Sequence, residues 1–266
     1  MIHPLDGARE RIRRADENIQ NLNREIDNFL TSAPSVILDV DFDKGKPIIT
    51  DKDRETFDQI ADFLNNERVP PRYAVLTGEI IHHLRSAFDH VAWQLSSTDF
   101  QTNSPRQIQF PVSRTLPKPC GLTRNKISGY CGQIQGISSP SALARIDTLQ
   151  PYRNGGNAER HPLWLIHDMD LWDKHRELIL GVYIMQLNVV ANAQYPGIGI
   201  LMPWEIRPRN TRITGPPTNV DMKAKMSIQV TLREFKGRDD TPLIPTLQNL
   251  LRFTSNAVES FAPDFS

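Results

Sequence analysis

The chain has 266 residues, 39% of them hydrophobic, and its 31 Lys+Arg balance 31 Asp+Glu. That length is enough to bury a real core. The balance excludes a protein that grips nucleic acid through bulk positive charge and leaves any such contact to a local patch. No apolar run reaches the roughly 18 residues of a membrane span, and no apolar leader opens the sequence, so the expected location is the cytoplasm.

Residues 5–31 read as a first helix. Leu5, Ala8, Ile12, Ala15, Ile19, Leu22, Ile26, Phe29 and Leu30 recur at steps of three and four, with charges between them. The stripe suits either a helix lying on its own domain or one packed against a second subunit. Arg9, Arg11, Arg13 and Arg14 are interleaved with Glu10, Asp16 and Glu17, which reads as a solvated face.

From Ser35 to Thr50 the period changes to two. Val36, Leu38, Val40 and Phe42 alternate, Asp43-Lys44-Gly45 turns, and Pro47-Ile48-Ile49 returns, a hairpin signal. A helix capped by Asp51 or Asp53 would carry Phe57, Ile60, Ala61 and Leu64. Pro70-Pro71 breaks the chain before a long helix over 72–95. Residues 97–160 are rich in Pro, Ser, Gly and Asn. Within them a Phe110-Pro111-Val112 strand fragment and short helices near 123–134 and 140–149 are expected.

A further helix starts at Pro162, a favourable first helical position, and ends before Gly181; His161 would begin it. Strands are expected at 182–190, 197–202, 205–214 and 223–235, then a last helix over 243–261. Together these elements predict an α+β fold. Its helical core holds the long N-terminal helix and two His-bearing helices, followed by a C-terminal antiparallel sheet and a final helix. A mainly helical region over 1–180, with the hairpin near 35–50 inside it, would pack as one unit with a β-rich region over 181–266.

Six of the seven histidines lie between His82 and His175, on or beside the two middle helices. On the 72–95 helix, Ile80, Ile81, Leu84, Phe88, Val91, Ala92 and Leu95 form an apolar arc. Glu79, His82, His83, Arg85, Ser86, Asp89, His90 and Trp93 form the polar one. Trp93 implies that the polar side is covered too, and Arg85 and Asp89 are spaced to pair along the helix. On the 162 helix, Trp164, Leu165, Leu171, Trp172, Leu178 and Ile179 share an arc with Asp168 and His175, and His167 lies at its rim. A carboxylate and an imidazole on an apolar face need partners. Asp168 and His175 are therefore expected to meet Arg85, Asp89, His82 or His90 where the helices cross.

Arg85-x4-His90 resembles the Arg-x(4–6)-His motif of the HEPN superfamily of helical bundles; Arg160 and His167 also satisfy that spacing. The resemblance implies an RNA-binding or RNA-cleaving dimer, in bacterial defence or stress. In it His90 would be the metal-independent general acid/base and Arg85 would hold the scissile phosphate, roles that fit imidazole and guanidinium chemistry. His82, Asp89, Asp168 and His175 would form a supporting polar network. A wider stretch over about 1–180 resembles a bacterial protein family that brings no mechanism. It includes Leu84-Arg85-Ser86-Ala87-Phe88-Asp89-His90, Leu149-Gln150-Pro151-Tyr152, His161-Pro162-Leu163-Trp164 and Asp173-Lys174-His175-Arg176.

Two other readings stand beside this one. The polar cluster is structural in a non-catalytic scaffold or interaction protein, or it serves a metal-dependent hydrolase. Glu79-x-x-His82 has a di-metal spacing but no second copy, and no zinc signature is present, so no metal or cofactor is expected. No phosphate loop, nucleophile elbow or dinucleotide fingerprint occurs. Cys120 and Cys131 match no Cys-x-x-Cys site. Either a disulfide or a reduced pair fits them, and a cytoplasmic location favours the reduced pair.

Overall fold

The structure is a computed structural model. It describes residues 3–31, 37–43, 46–48, 51, 55, 58–59, 62–63, 68–117, 129–175, 178, 180–191, 222–232 and 241–265. The fold is α+β. The chain divides into two compact units, and neither is continuous in sequence: Met1–Leu22, Arg72–Leu178 and Ile244–Ser266 form one, Asn23–Pro71 and Ile179–Leu243 the other. A single boundary near 180 therefore does not describe the organisation. Hydrophobic period identifies a strand or helix but says nothing about which distant segment it joins.

The first unit is helical. Helix α1 (Asp6–Leu30) begins in it. Its Leu5, Ala8, Ala15, Ile19 and Leu22 are at most 1% exposed, so this part of its stripe is consumed within the chain. Helix α2 (Pro71–Leu95) buries Ile80, Ile81, Leu84, Ala87, Phe88, Val91 and Ala92, the arc expected from sequence. Helix α3 (Thr98–Asn103), which the polar composition of this stretch hides, is capped by Ser97, whose hydroxyl accepts from the Phe100 N–H. Helix α4 (Tyr130–Ile134) covers the end of the short helix expected near 123–134, of which 123–128 lie outside the described residues, and α5 (Pro140–Thr148), capped by Ser139, matches the one expected at 140–149.

A 3-10 segment over Pro151–Arg160 leads into α6 (Pro162–His175). His161 marks that start, its Nδ1 accepting from the Leu163 N–H at 3.2 Å. Helix α7 (Leu243–Glu259) closes the unit, tied to α1 by a two-pronged Arg9–Glu259 pair with both contacts at 2.8 Å. Phe110 lies among these elements, with ring centroids 5.0 Å from Phe88 and 6.1 Å from Phe261.

The second unit carries an antiparallel sheet of strands β1 (Ile37–Asp43), β2 (Lys46–Ile48), β3 (Leu180–Ala191), β4 (Met222–Leu232) and β5 (Thr241–Pro242). Their order is β2-β1-β4-β3, with β5 on β4. The expected hairpin is present, with Asp41 opposite Ile48. Its first strand also pairs with β4, Ile37 facing Lys225, so it belongs to the C-terminal sheet. The strands expected at 197–202 and 205–214 lie outside the described residues. So do Phe57, Ile60, Ala61 and Leu64, although the described residues between 51 and 63 are helical and Phe63 packs on Phe29.

Residues 108–113 form no strand. Cys131 is disulfide-bonded rather than reduced, while Cys120 lies outside the described residues.

Candidate functional site

The pair of helices α2 and α6 holds nearly all the residues singled out by sequence. Arg85 is 5% exposed. Its Nη2 donates to the Phe110 carbonyl at 2.9 Å and pairs with Asp89 Oδ1 at 3.0 Å. Asp89 Oδ1 in turn accepts from the Phe110 N–H at 2.9 Å. Both backbone groups of Phe110 are thus met by an Arg–Asp pair one helical turn apart. Burial raises the Asp89 carboxyl above the ordinary carboxylate range, against the pull of Arg85 and the Phe110 N–H.

Gln150, fully buried, repeats the device on the next residues. Its Nε2 donates to the Pro111 carbonyl at 2.9 Å and its Oε1 accepts from the Ser113 N–H at 3.0 Å. These side chains do what a neighbouring strand would do, because a buried backbone group left unpaired is costly. This is why Phe110-Pro111-Val112 reads as a strand yet joins no sheet.

His90 faces elsewhere. It stands about 140° round the helix from Arg85. Its ring packs on α1 so closely that a Cβ on Gly7 would lie 2.1 Å from its Nε2. Burial, then the Arg11 charge, holds His90 below the ordinary histidine range, and burial does the same to His83. Arg11 also reaches α2 itself, donating to Ser86 Oγ at 2.8 Å. Helix α1 therefore covers part of the polar arc, but Trp93 is 37% exposed and does not mark a second buried side. No hydrogen bond or ion pair among the described residues joins Arg85 to His90.

The open face of the same helix pair is different. His82, its side chain 60% exposed, places Nδ1 3.1 Å from Asp170 Oδ1; Asp170 is 5% exposed and takes Lys174 Nζ on its other oxygen at 2.6 Å. Beside them is a shallow cleft of about 480 Å³ lined by Val75, Gly78, Glu79, His82 and Asp173. Burial, then the Asp170 charge, raises the Asp173 carboxyl. Asp170 is the residue that sequence reasoning left out of the network. The α6 phase drawn through Leu171 and Trp172 put it outside. Leu171 is in fact 42% exposed, and the buried face runs through Leu163, Ile166, Met169 and Asp170. The i, i+4 spacing of Asp170 and Lys174 was the available signal.

Asp168 is buried as expected, at 7% exposure. His175 ends α6, and its side chain lies outside the described residues. His167 is half-buried beside Trp164, and burial with the Arg85 charge lowers its pKa to about 4. Among the described residues no three His, Cys, Asp or Glu side chains are placed to hold a metal ion. No helix among them is long and apolar enough to cross a membrane. Three arginines of α1 are spent on carboxylates, Arg9 on Asp6 and Glu259, Arg13 and Arg14 on Glu10 and Glu17, while Arg11 donates to Ser86 Oγ and the Gly7 carbonyl. Compared with protein-family models, curated proteins and solved structures, the chain matches none.

Proposed function

We propose that this chain is a non-catalytic interaction protein whose Arg85-centred polar network is architectural. The observation that carries the reading is the guanidinium of Arg85, buried and committed to the Phe110 carbonyl and Asp89. A phosphate-binding arginine turns its N–H groups to an open ligand site, whereas Arg85 is 5% exposed and its remaining Nη1 donor is buried. The paired arginines of α1 and the Glu79 and Asp173 carboxylates at the cleft favour a partner other than RNA. Incubating labelled RNA with the protein in the presence of chelator tests the reading. It expects intact RNA. Cleavage that persists with chelator and vanishes in a folded Arg85→Lys variant would overturn it.

A second reading is favoured by the His82–Asp170 contact. A buried carboxylate orienting an exposed imidazole is an arrangement suited to proton transfer. In this reading the chain is a HEPN-like protein that acts on RNA as a homodimer without metal, and His82 takes the role that the motif assigns to His90. Loss of RNA cleavage in His82→Gln, with His90→Ala still active, is the result it expects.

Cytoplasmic residence is part of the proposal in either case. The disulfide at Cys131 bears on it, because cytosolic thiols are kept reduced. Alkylating thiols in intact cells before lysis decides the point. Labelled Cys131 supports a cytoplasmic pool, and unlabelled Cys131 contradicts it.

A further inference from the structure

Helices α2 and α6 run antiparallel, and two contacts set their register. Gly78 faces Asp173, whose carboxylate a Cβ on that glycine would meet at 2.3 Å. His82 faces Asp170 at 3.1 Å. One step further, up α2 and down α6, brings Arg85 level with His167. The two are electrostatically coupled, Arg85 being the second cause of the lowered His167 pKa.

Both residues carry an orphaned buried atom. Among the described residues, Arg85 Nη1 and His167 Nδ1 have no hydrogen-bond partner, and they make none with each other. Arg85 spends Nη2 alone on Phe110 and Asp89. Guanidinium Nη1 can only donate, and neutral imidazole Nδ1 with its proton on Nε2 can only accept. A donor and an acceptor at one level of a helix pair, not joined directly, ask for one small group that accepts from the first and donates to the second.

The surrounding charge selects what that group is. The groups that act on His167 are Arg85, Asp168, Asp170 and Lys174, and Asp89 shares the guanidinium. Three carboxylates against two cations disfavour an anion, and the Nη1 donor disfavours a cation. A neutral molecule with one lone pair and one O–H to offer fits, and buried polar atoms are commonly completed by such a water.

We propose that the Arg85–His167 level of the α2–α6 pair binds a single water molecule, accepting from Arg85 Nη1 and donating to His167 Nδ1, and so fixes His167 as its Nε2–H tautomer. The water closes the network that Arg85, Asp89 and Phe110 begin, and joins α6 to it. The inference goes beyond either functional reading and does not depend on whether the protein has an activity.

The test is a long-range nitrogen–proton NMR spectrum of His167 on the full chain, together with a crystal structure fine enough to place waters. The expected result is an unprotonated Nδ1 and one ordered oxygen within hydrogen-bond distance of both atoms. His167→Leu should lose that oxygen while Arg85 keeps its contact with Phe110. If that variant does not fold, His167→Gln, which keeps an acceptor, serves instead and should retain the oxygen. A protonated Nδ1, or a direct Arg85–His167 hydrogen bond, overturns the proposal. So does displacement of His167 resonances by added inorganic phosphate, which would make the site an anion site.

Discussion

The α2–α6 pair presents two polar regions that look alike in sequence and differ in what they are bound to. Around Phe110, Arg85, Asp89 and Gln150 are bonded to backbone, and Arg85 and Gln150 are buried. Around the cleft, His82 is bonded to one carboxylate and otherwise open to solvent. The difference teaches that a histidine- and arginine-rich stretch need not be one site. Backbone satisfaction claims most of the inner groups, and the outer ones are those open to a ligand from solvent.

The sharpest way to break this contrast is to remove Arg85. Arg85→Met leaves the Phe110 carbonyl without its donor and the partly exposed Asp89 carboxylate with the Phe110 N–H alone, and should cost about 3–4 kcal/mol in chemical denaturation. A loss under about 0.5 kcal/mol, typical of a surface position, would place Arg85 outside the architecture. Gln150→Leu follows. It strips the partners of Pro111 and Ser113, and a loss of about 2–4 kcal/mol is expected from two unsatisfied backbone groups.

Acid should act next, through His167. Its pKa of about 4 lies below the ordinary 6.5, so between those values the unfolded chain takes a proton that the native chain refuses. Stability is therefore complete above pH 6.5 and falls as pH drops towards 4, by on the order of 1–2 kcal/mol once solvent contact with the ring is discounted. His167→Gln should flatten that slope; an unchanged profile would show that other groups set it. The smallest effect belongs to the open face. His82→Ala should change stability by no more than about 0.5 kcal/mol. A larger loss would mean that the His82–Asp170 contact is structural as well.

Much of the fold was legible in sequence because it rests on period. The stripes of α1, α2 and α7, the hairpin and the Pro162 start of α6 all come from local spacing. The Arg85–Asp89 pair was legible for the same reason, being one turn apart. What was not legible depends on distant partners. Phe110-Pro111-Val112 has strand composition, but the groups that satisfy it are side chains from α2 and from Gln150. Asp170 stands between apolar residues whose phase pointed to the wrong face, and Leu171 is exposed where it was expected to be buried. His90 was singled out by spacing from Arg85, whereas its environment is set by the missing side chain of Gly7 on α1.

The central claim is that two side chains of α2 stand in for a strand beside Phe110. Amide hydrogen exchange at the Phe110 N–H tests it most directly, because that donor is bonded to Asp89 Oδ1. The account predicts slow exchange in the native protein and a rate close to that of an open loop in a folded Asp89→Ala variant. Fast exchange at Phe110 in the native protein, or protection that survives the loss of Asp89, would contradict it.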